Sequence, residues 1–220
     1  MDGKCALQGF GNSPGNNPRR EESDRHWTFS NWTKTKAKGF LDPVAGRLHR
    51  TGLHPNTLSI AGFVLAVASG IAIAGGYIAL AGWLFLLSGS FDALDGALAR
   101  TAGMETRFGA FLDSFLDRYA DASVLLALIY WFSLHDHHGL VVLSASALLG
   151  SVMVSYARAR AEGLGVSCSI GLFTRLERFL VVVLTLFTGH FLAGITLLAV
   201  LSNLTAVQRL RHVYKQSRRI

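Results

Sequence analysis

The sequence predicts an all-α membrane protein with six transmembrane helices, preceded by an amphipathic helix beside the membrane. Half of the 220 residues are hydrophobic, only 16% are charged, and the mean hydropathy is +0.36. That composition is too apolar for a soluble domain of this size. Six apolar stretches follow residue 56, and each is long enough to cross about 30 Å of hydrocarbon.

The chain before these stretches is different. Residues 1–32 are polar and rich in Gly, Asn, Asp and Arg, which predicts a disordered tail. We expect the membrane domain to occupy residues 33–220. Within it, residues 34–50 mix lysine and arginine with apolar residues at nearly helical spacing, which predicts a helix lying on the membrane surface.

The six predicted spans have short connections, as in a compact bundle. Glycine and alanine recur along them, which permits close contact between helices in a bilayer. The predicted spans are 57–75, 79–100, 107–132, 140–162, 172–190 and 192–213.

Basic residues lie on one side of this predicted bundle. Every Lys and Arg falls in the tail, in the surface helix, near 100–118 and 158–178, or after Gln208, and the three linkers on the other side contain none. Such bias marks the cytoplasmic side. We therefore expect a multi-pass protein of the cell membrane, with both termini and the active site cytoplasmic. The net charge of +7 then faces the bilayer surface rather than a nucleic acid.

Two pairs of aspartates lie at the cytoplasmic ends of the second and third predicted spans. Asp92 and Asp95 are three residues apart, and Asp113 and Asp117 are four apart, so each pair shares one helix face. Because the linker between them is short, the two helices should be antiparallel neighbours with converging acidic faces. Clustered carboxylates favour hard cations, Mg²⁺ or Mn²⁺, and two such ions suit phosphoryl chemistry.

The carboxylates also have a purely structural interpretation. Arg100, Arg107 and Arg118 could pair with them in a network that only holds the bundle together. Asp121 lies one turn beyond Asp117. It could orient a substrate, but we expect it to pair with Arg118.

Eight positions resemble the complete signature of the CDP-alcohol phosphotransferase family. They have the expected spacing and are Asp92, Asp95, Gly96, Ala99, Arg100, Gly109, Asp113 and Asp117. The resemblance implies transfer of a phosphatidyl-type group from a CDP-activated lipid to an alcohol, with release of CMP. It also implies two divalent ions, Mg²⁺ or Mn²⁺, and a homodimer.

The same resemblance implies roles for the four aspartates. Asp92, Asp95 and Asp113 would ligate metal. Asp117 would complete the metal site and act as general base toward the acceptor hydroxyl.

The donor would bind beside them. Gly96 and Ala99 would leave room for the cytidine, although small residues also serve tight helix packing. Arg100 would face a phosphate. Asn56 and Ser59 are candidates for nucleotide contacts, and helix capping explains them equally well.

A broader resemblance covers roughly residues 35–215 and points to the bacterial and archaeal inositol-phosphate branch of the family. Arg158, Arg160, Arg178 and Arg209 come from three predicted helix ends on the metal side, and guanidinium binds phosphate in a bidentate manner. The branch implies an acceptor-phosphate pocket and inositol phosphate as acceptor, although it carries Lys where this chain has Arg158. Anchoring of lipid headgroups by these arginines is the alternative.

Other functions remain open at this point. Glycerol 3-phosphate is also a phosphorylated acceptor, so an arginine pocket does not exclude a phosphatidylglycerophosphate synthase. Buried carboxylates also occur in cation-coupled transporters, but those commonly show inverted repeats or broken helices, and the sequence shows neither. An inactive scaffold would not need the two aspartate pairs.

Overall fold

The computed structural model of the chain describes residues 43, 45–48, 52–168 and 170–218. Within those ranges there are six long α-helices and no strand. The helices are α1 (Pro55–Ala74), α2 (Ile78–Ala102), α3 (Arg107–Leu134), α4 (His138–Gly163), α5 (Arg175–Thr188) and α6 (Phe191–Ser217). The all-α prediction is confirmed for this part of the chain.

The predicted tail, residues 1–32, lies outside the described residues, as does most of the predicted surface helix. Of the latter, residues 43 and 45–48 are described and are helical. Ala45 is fully buried there, in a small cluster with Leu58, Ala97 and Leu98. An amphipathic helix over all of 34–50 stays a prediction.

Four helices, α1, α2, α4 and α6, are long and apolar enough to cross a membrane, with mean hydropathies of 1.3 to 2.1 over their most apolar stretches. Many of their large apolar side chains, among them Val64, Ile71 and Leu149, are exposed, as expected for surfaces in contact with lipid. The chain is therefore a membrane protein.

The other two helices differ from the predicted spans for separate reasons. α3 has 28 residues but carries Asp113, Asp117, Arg118 and Asp121. α5 has 14 residues, so at 1.5 Å per residue it is only about 21 Å long. The helix is shorter than the predicted span 172–190 because residues 172–174, at the start of that span, are not helical. The six-span count therefore stays a prediction.

The helices pack as an interlocked bundle. α1 contacts α2 and α3, α4 contacts α3 and α6, and α5 contacts α2 and α6. A Cβ at Gly62 would lie 3.3 Å from the Ser88 carbonyl oxygen on α2, and one at Gly70 would lie 3.1 Å from the Ser123 carbonyl oxygen on α3. The predicted role of glycine in close helix contact is thus confirmed at α1.

Two local signals fix the helix ends around the acidic faces. α2 ends at Gly103, whose φ of 63° is in the left-handed region that glycine tolerates. α3 begins after Thr106, whose hydroxyl accepts a hydrogen bond from Gly109 N at 2.9 Å. The short turn between the helices brings the end of α2 beside the start of α3.

Candidate active site

Three carboxylates from two helices meet at this end of the bundle. Asp92 and Asp95 come from α2 and Asp113 from α3, and one oxygen of each lies within 4.8 Å of the others. Asp95 is buried, and Asp92 and Asp113 are partly buried. The two acidic faces thus converge as the spacing predicts, although α2 and α3 each pack on α1 far more than on one another. Three hard oxygen donors in so small a space fit a divalent cation.

α1 supports this group through Ser59. The Ser59 hydroxyl donates a 2.5 Å hydrogen bond to Asp95 Oδ2. A hydrogen bond to the ionised form fixes the orientation of that carboxylate. Ser59, a candidate for nucleotide contacts from its position in the sequence, therefore lies against a carboxylate of the cluster.

Asn56, at the start of α1, lies beside the start of α3. A Cβ built on Gly109 would be 3.1 Å from Asn56 Oδ1 and 2.9 Å from Thr106 Oγ1. A side chain at position 109 would displace one of them, so the glycine of the signature lets α1 and α3 approach here. Asn56 is thereby placed at the same end as the aspartates.

The small residues of the signature leave space along α2. A Cβ on Gly96 would lie 3.3 Å from Arg100 Nη1, so the exposed Arg100 side chain folds back over Gly96. Ala99 is partly buried. These three positions lie on the helix that carries Asp92 and Asp95.

A basic residue, Arg175, enters the acidic cluster from α5. Its Nη1 lies 2.8 Å from Asp92 Oδ2, and its Nη2 lies 2.7 Å from Asp117 Oδ1. Asp117 is buried and does not belong to the group of three carboxylates. Arg175 therefore bridges the two acidic helices.

Sequence reasoning missed Arg175. Its partner Asp92 is 83 residues away in the chain, so no local spacing relates them. The available signal was its place three residues before Arg178, which puts both guanidiniums on one helix face. Thr174 and Glu177 form a capping box that starts α5 at Arg175, so Glu177 is committed to the cap.

The expected pairing of Asp121 with Arg118 is wrong. Asp121 Oδ2 lies 3.6 Å from Arg178 Nη2. Arg118 instead lies 3.6 Å from Asp117 Oδ2 and donates a 2.5 Å hydrogen bond to the Ser114 carbonyl. The physical reason is that Asp121 meets α5, whereas the Arg118 side chain turns back along its own helix.

The alternative ion-pair network, with Arg100, Arg107 and Arg118, also differs from the one observed. Among the described residues, neither Arg100 nor Arg107 forms an ion pair. The cations that do reach the aspartates are Arg118, Arg175 and Arg178.

Arg178 has an unusual setting for an arginine. It is 5% exposed, and its Nη1 donates to the Phe173 carbonyl at a long 3.5 Å. Its buried Nε has no hydrogen-bond partner within the described part of the chain. A small cavity beside it is also lined by Asp121, Ser151 and Ser202. A buried guanidinium with unused donors is suited to an anionic ligand.

The other three predicted acceptor arginines have different surroundings. Arg209 is buried and donates from Nε to the Ile170 carbonyl at 2.9 Å and from Nη1 to the Val154 carbonyl at 2.6 Å. Arg158 is exposed and pairs with Glu162 at 2.8 Å. Arg160 is exposed.

The sequence and fold of this chain are similar to those of known proteins. The family model described as CDP-alcohol phosphatidyltransferase matches residues 52–207, a range that contains every aspartate and arginine of the cluster. The chain belongs to the CDP-alcohol phosphatidyltransferase family, and it is an enzyme of that class.

Its relatives include synthases of inositol-phosphate lipids. The chain is 34% identical over 183 residues to the archaetidylinositol phosphate synthase of Methanothermobacter thermautotrophicus, covering 80% of this chain and 90% of that protein. It is 37% identical over 183 residues to the phosphatidylinositol phosphate synthase of Mycobacterium tuberculosis, covering 78% of this chain and 84% of that protein.

Solved structures agree with these matches. The crystal structure of the M. tuberculosis phosphatidylinositol phosphate synthase with CDP-DAG bound has a TM-score of 0.73 and 34% identity, covering 79% of this chain and 93% of that one. A second structure of the same enzyme, in complex with manganese and citrate, also has a TM-score of 0.73 and covers 79% of this chain and 88% of that one.

Proposed function

We propose that this enzyme transfers a phosphatidyl-type group from a CDP-activated lipid to inositol phosphate and releases CMP. The observation that carries the proposal is the group of three carboxylates, Asp92, Asp95 and Asp113, within 4.8 Å, with Arg175 and Arg178 of α5 bound to neighbouring aspartates. The relatives named above support the same reaction and acceptor.

The proposed cofactor is a pair of divalent ions, Mg²⁺ or Mn²⁺. The donor set fits, because it offers carboxylate oxygens and no thiolate or imidazole. Asp92, Asp95 and Asp113 would hold the ions, with Asp117 completing the site. Bound metal would neutralise the diphosphate and the charge that builds on the departing CMP.

Asp117 is the proposed general base. In the reaction, the acceptor hydroxyl oxygen forms a bond to the phosphorus that carries the lipid, and the bond from that phosphorus to the CMP oxygen breaks. The hydroxyl proton passes to the Asp117 carboxylate. Asp117 is 9% exposed, so bulk water has little access to the group that accepts the proton.

The proposed donor surface consists of the small and polar residues beside the cluster. Gly96 and Ala99 would accommodate the cytidine and Arg100 a phosphate. Asn56 would contact the nucleotide from the start of α1. Ser59 is proposed to act mainly through Asp95, to which it donates.

The proposed acceptor site is built on the arginines of α4, α5 and α6. Arg178 is the best-supported residue of this proposed site. Its buried Nε lacks a hydrogen-bond partner in the described residues, and a phosphate oxygen could accept a hydrogen bond from it. Arg158, Arg160 and Arg209 are proposed to complete the pocket. Arg209 would contribute through Nη2, since its Nε and Nη1 are bound to backbone carbonyls.

We also propose the arrangement in the membrane inferred from charge. The chain would cross the cell membrane six times, with both termini and the active site on the cytoplasmic side, and would work as a homodimer. The absence of Lys and Arg from the three linkers on the other side supports this orientation.

A CMP-release assay tests the function. Purified enzyme with CDP-diacylglycerol and Mg²⁺ would be offered inositol phosphate, free inositol, glycerol 3-phosphate and serine in turn. We expect the highest kcat/KM with inositol phosphate. Faster release with glycerol 3-phosphate would make the enzyme a phosphatidylglycerophosphate synthase. Asp113→Asn serves as the inactive control, and Asp136→Asn, in the loop at the opposite end of α3, as the matched active one.

A further inference from the structure

We propose that Arg175 is an exchangeable counter-ion of the acidic cluster, which holds Asp92 and Asp117 until divalent metal displaces it. The proposal rests on the metal site proposed above and adds a role for a residue outside the family signature. It makes Arg175 a positioning residue that sets metal affinity.

The Arg175 guanidinium contacts α2 through Asp92 at 2.8 Å and α3 through Asp117 at 2.7 Å. Both distances are those of charge-assisted hydrogen bonds. The side chain of Arg175 is 35% exposed and that of Asp117 is 12% exposed, so solvent screens this bridge only partly.

The two carboxylates that Arg175 joins differ in their relation to the metal site. Asp92 belongs to the group of three that offers oxygens within 4.8 Å of one another, whereas Asp117 does not. Asp117 is held by Arg175 on one oxygen and lies near Arg118 on the other. Its entry into a metal site therefore requires that the bond to Arg175 loosen.

A metal ion in the cluster and the Arg175 guanidinium would repel each other. A dication among Asp92, Asp95 and Asp113 and a guanidinium on Asp92 are like charges a few ångströms apart, in a partly buried site where repulsion is strong. The two cations compete for the Asp92 carboxylate. Metal loading therefore displaces Arg175 from Asp92.

The displaced side chain has donors to offer. Its Nε is buried and has no hydrogen-bond partner among the described residues. Displacement from Asp92 frees Nη1, and loosening of the bond to Asp117 frees Nη2. Phosphate oxygens accept such a fork of donors. Metal binding would thus release the Arg175 guanidinium from the carboxylates and leave it free to bind a substrate phosphate. Metal binding and substrate binding would therefore be coupled.

The test measures metal affinity rather than turnover. Mn²⁺ binding to the full chain in detergent, without nucleotide, would be measured by calorimetry for the parent and for Arg175→Gln. We expect Arg175→Gln to bind Mn²⁺ at least about tenfold more tightly, because the substitution removes both the competitor and its repulsion. Equal or weaker Mn²⁺ affinity in Arg175→Gln would overturn the proposal.

Arg118→Gln is the matched control. Arg118 also lies near Asp117, but at 3.6 Å and with a side chain 40% exposed, so its charge is screened. We expect less than about a threefold change in Mn²⁺ affinity. If Arg118→Gln raised Mn²⁺ affinity as much as Arg175→Gln does, the loss of one positive charge would explain both results. That outcome would overturn the specific role of Arg175.

Arg175→Lys keeps the test decisive if Arg175→Gln does not fold. A lysine ammonium cannot bridge two carboxylates as a guanidinium does, so Mn²⁺ should bind a few-fold more tightly than in the parent. Unchanged affinity in a folded Arg175→Lys would contradict the proposal. A parent that binds no Mn²⁺ would instead refute the metal site itself, and the counter-ion role with it.

Discussion

Arg178 on α5 and Asp121 on α3 form an ion pair, with Nη2 and Oδ2 3.6 Å apart and side chains only 6% and 18% exposed. The distance is long for a hydrogen bond, so the carboxylate neutralises and orients the guanidinium without saturating it. The pair thus leaves Arg178 able to bind a second anion.

We predict that Asp121→Asn raises the KM for inositol phosphate at least about fivefold while the KM for CDP-lipid stays within twofold, since it weakens the orientation of one acceptor-binding group. Arg178→Ala should raise the acceptor KM more, by about tenfold to a hundredfold. CMP release at saturating donor measures both. In the double variant, Asp121→Asn should add nothing to Arg178→Ala. Full additivity would contradict the idea that Asp121 acts through Arg178.

Asp117→Asn should abolish nearly all turnover and leave measurable binding of CDP-lipid, because the loss of a general base affects the chemical step. Asp92→Asn should weaken both turnover and donor binding, since Asp92 is assigned to metal. The measurements are single-turnover CMP release and equilibrium binding of CDP-lipid. Wild-type turnover in Asp117→Asn would show that another group takes the proton.

Ser59→Ala should lower kcat/KM about tenfold, because it removes the hydrogen bond that orients Asp95, worth on the order of 1.5–3 kcal/mol with a charged partner. The Mg²⁺ concentration needed for half-maximal rate should rise as well. Ser69→Ala is the matched control on the same helix, since Ser69 donates to the Ala81 carbonyl and not to the cluster. That variant should lose stability and keep the parent's Mg²⁺ requirement.

Removal of metal should stop the reaction. With excess EDTA, CMP release should fall to background, and either Mg²⁺ or Mn²⁺ in excess over the chelator should restore it, because carboxylate oxygens bind both ions. The assay is run on the parent in detergent. Undiminished release in EDTA would leave the aspartates as a purely structural ion-pair network.

The sequence predicts the parts of this site that depend on local geometry. Asp92 and Asp95 share a face because of helical periodicity, and the short turn at Gly103 brings the end of α2 close to the start of α3. These two facts predict that the carboxylates converge. They do not predict that α2 and α3 each pack on α1 far more than on one another.

What the sequence did not predict depends on packing between distant segments. Asp121 was expected to pair with Arg118, three residues away. It pairs with Arg178 instead, because α3 meets α5 there. Arg175 lies 83 residues from Asp92, so its place in the cluster follows only from how α5 packs. The start of α5 at Arg175 shortened the predicted span 172–190, because a capping box at Thr174 and Glu177 begins the helix there.

Arg209 forms hydrogen bonds to the backbone of two other segments of the chain. The described residues between α4 and α5, 164–168 and 170–174, are not helical, so their carbonyls need partners other than those of a regular helix. Arg209 donates to Ile170 of that segment and to Val154 at the end region of α4. One guanidinium on α6 therefore joins the non-helical segment to α4 by hydrogen bonds to the backbone of both. A substitution of Arg209 would then loosen the backbone around the proposed acceptor site as well as remove a charge from it.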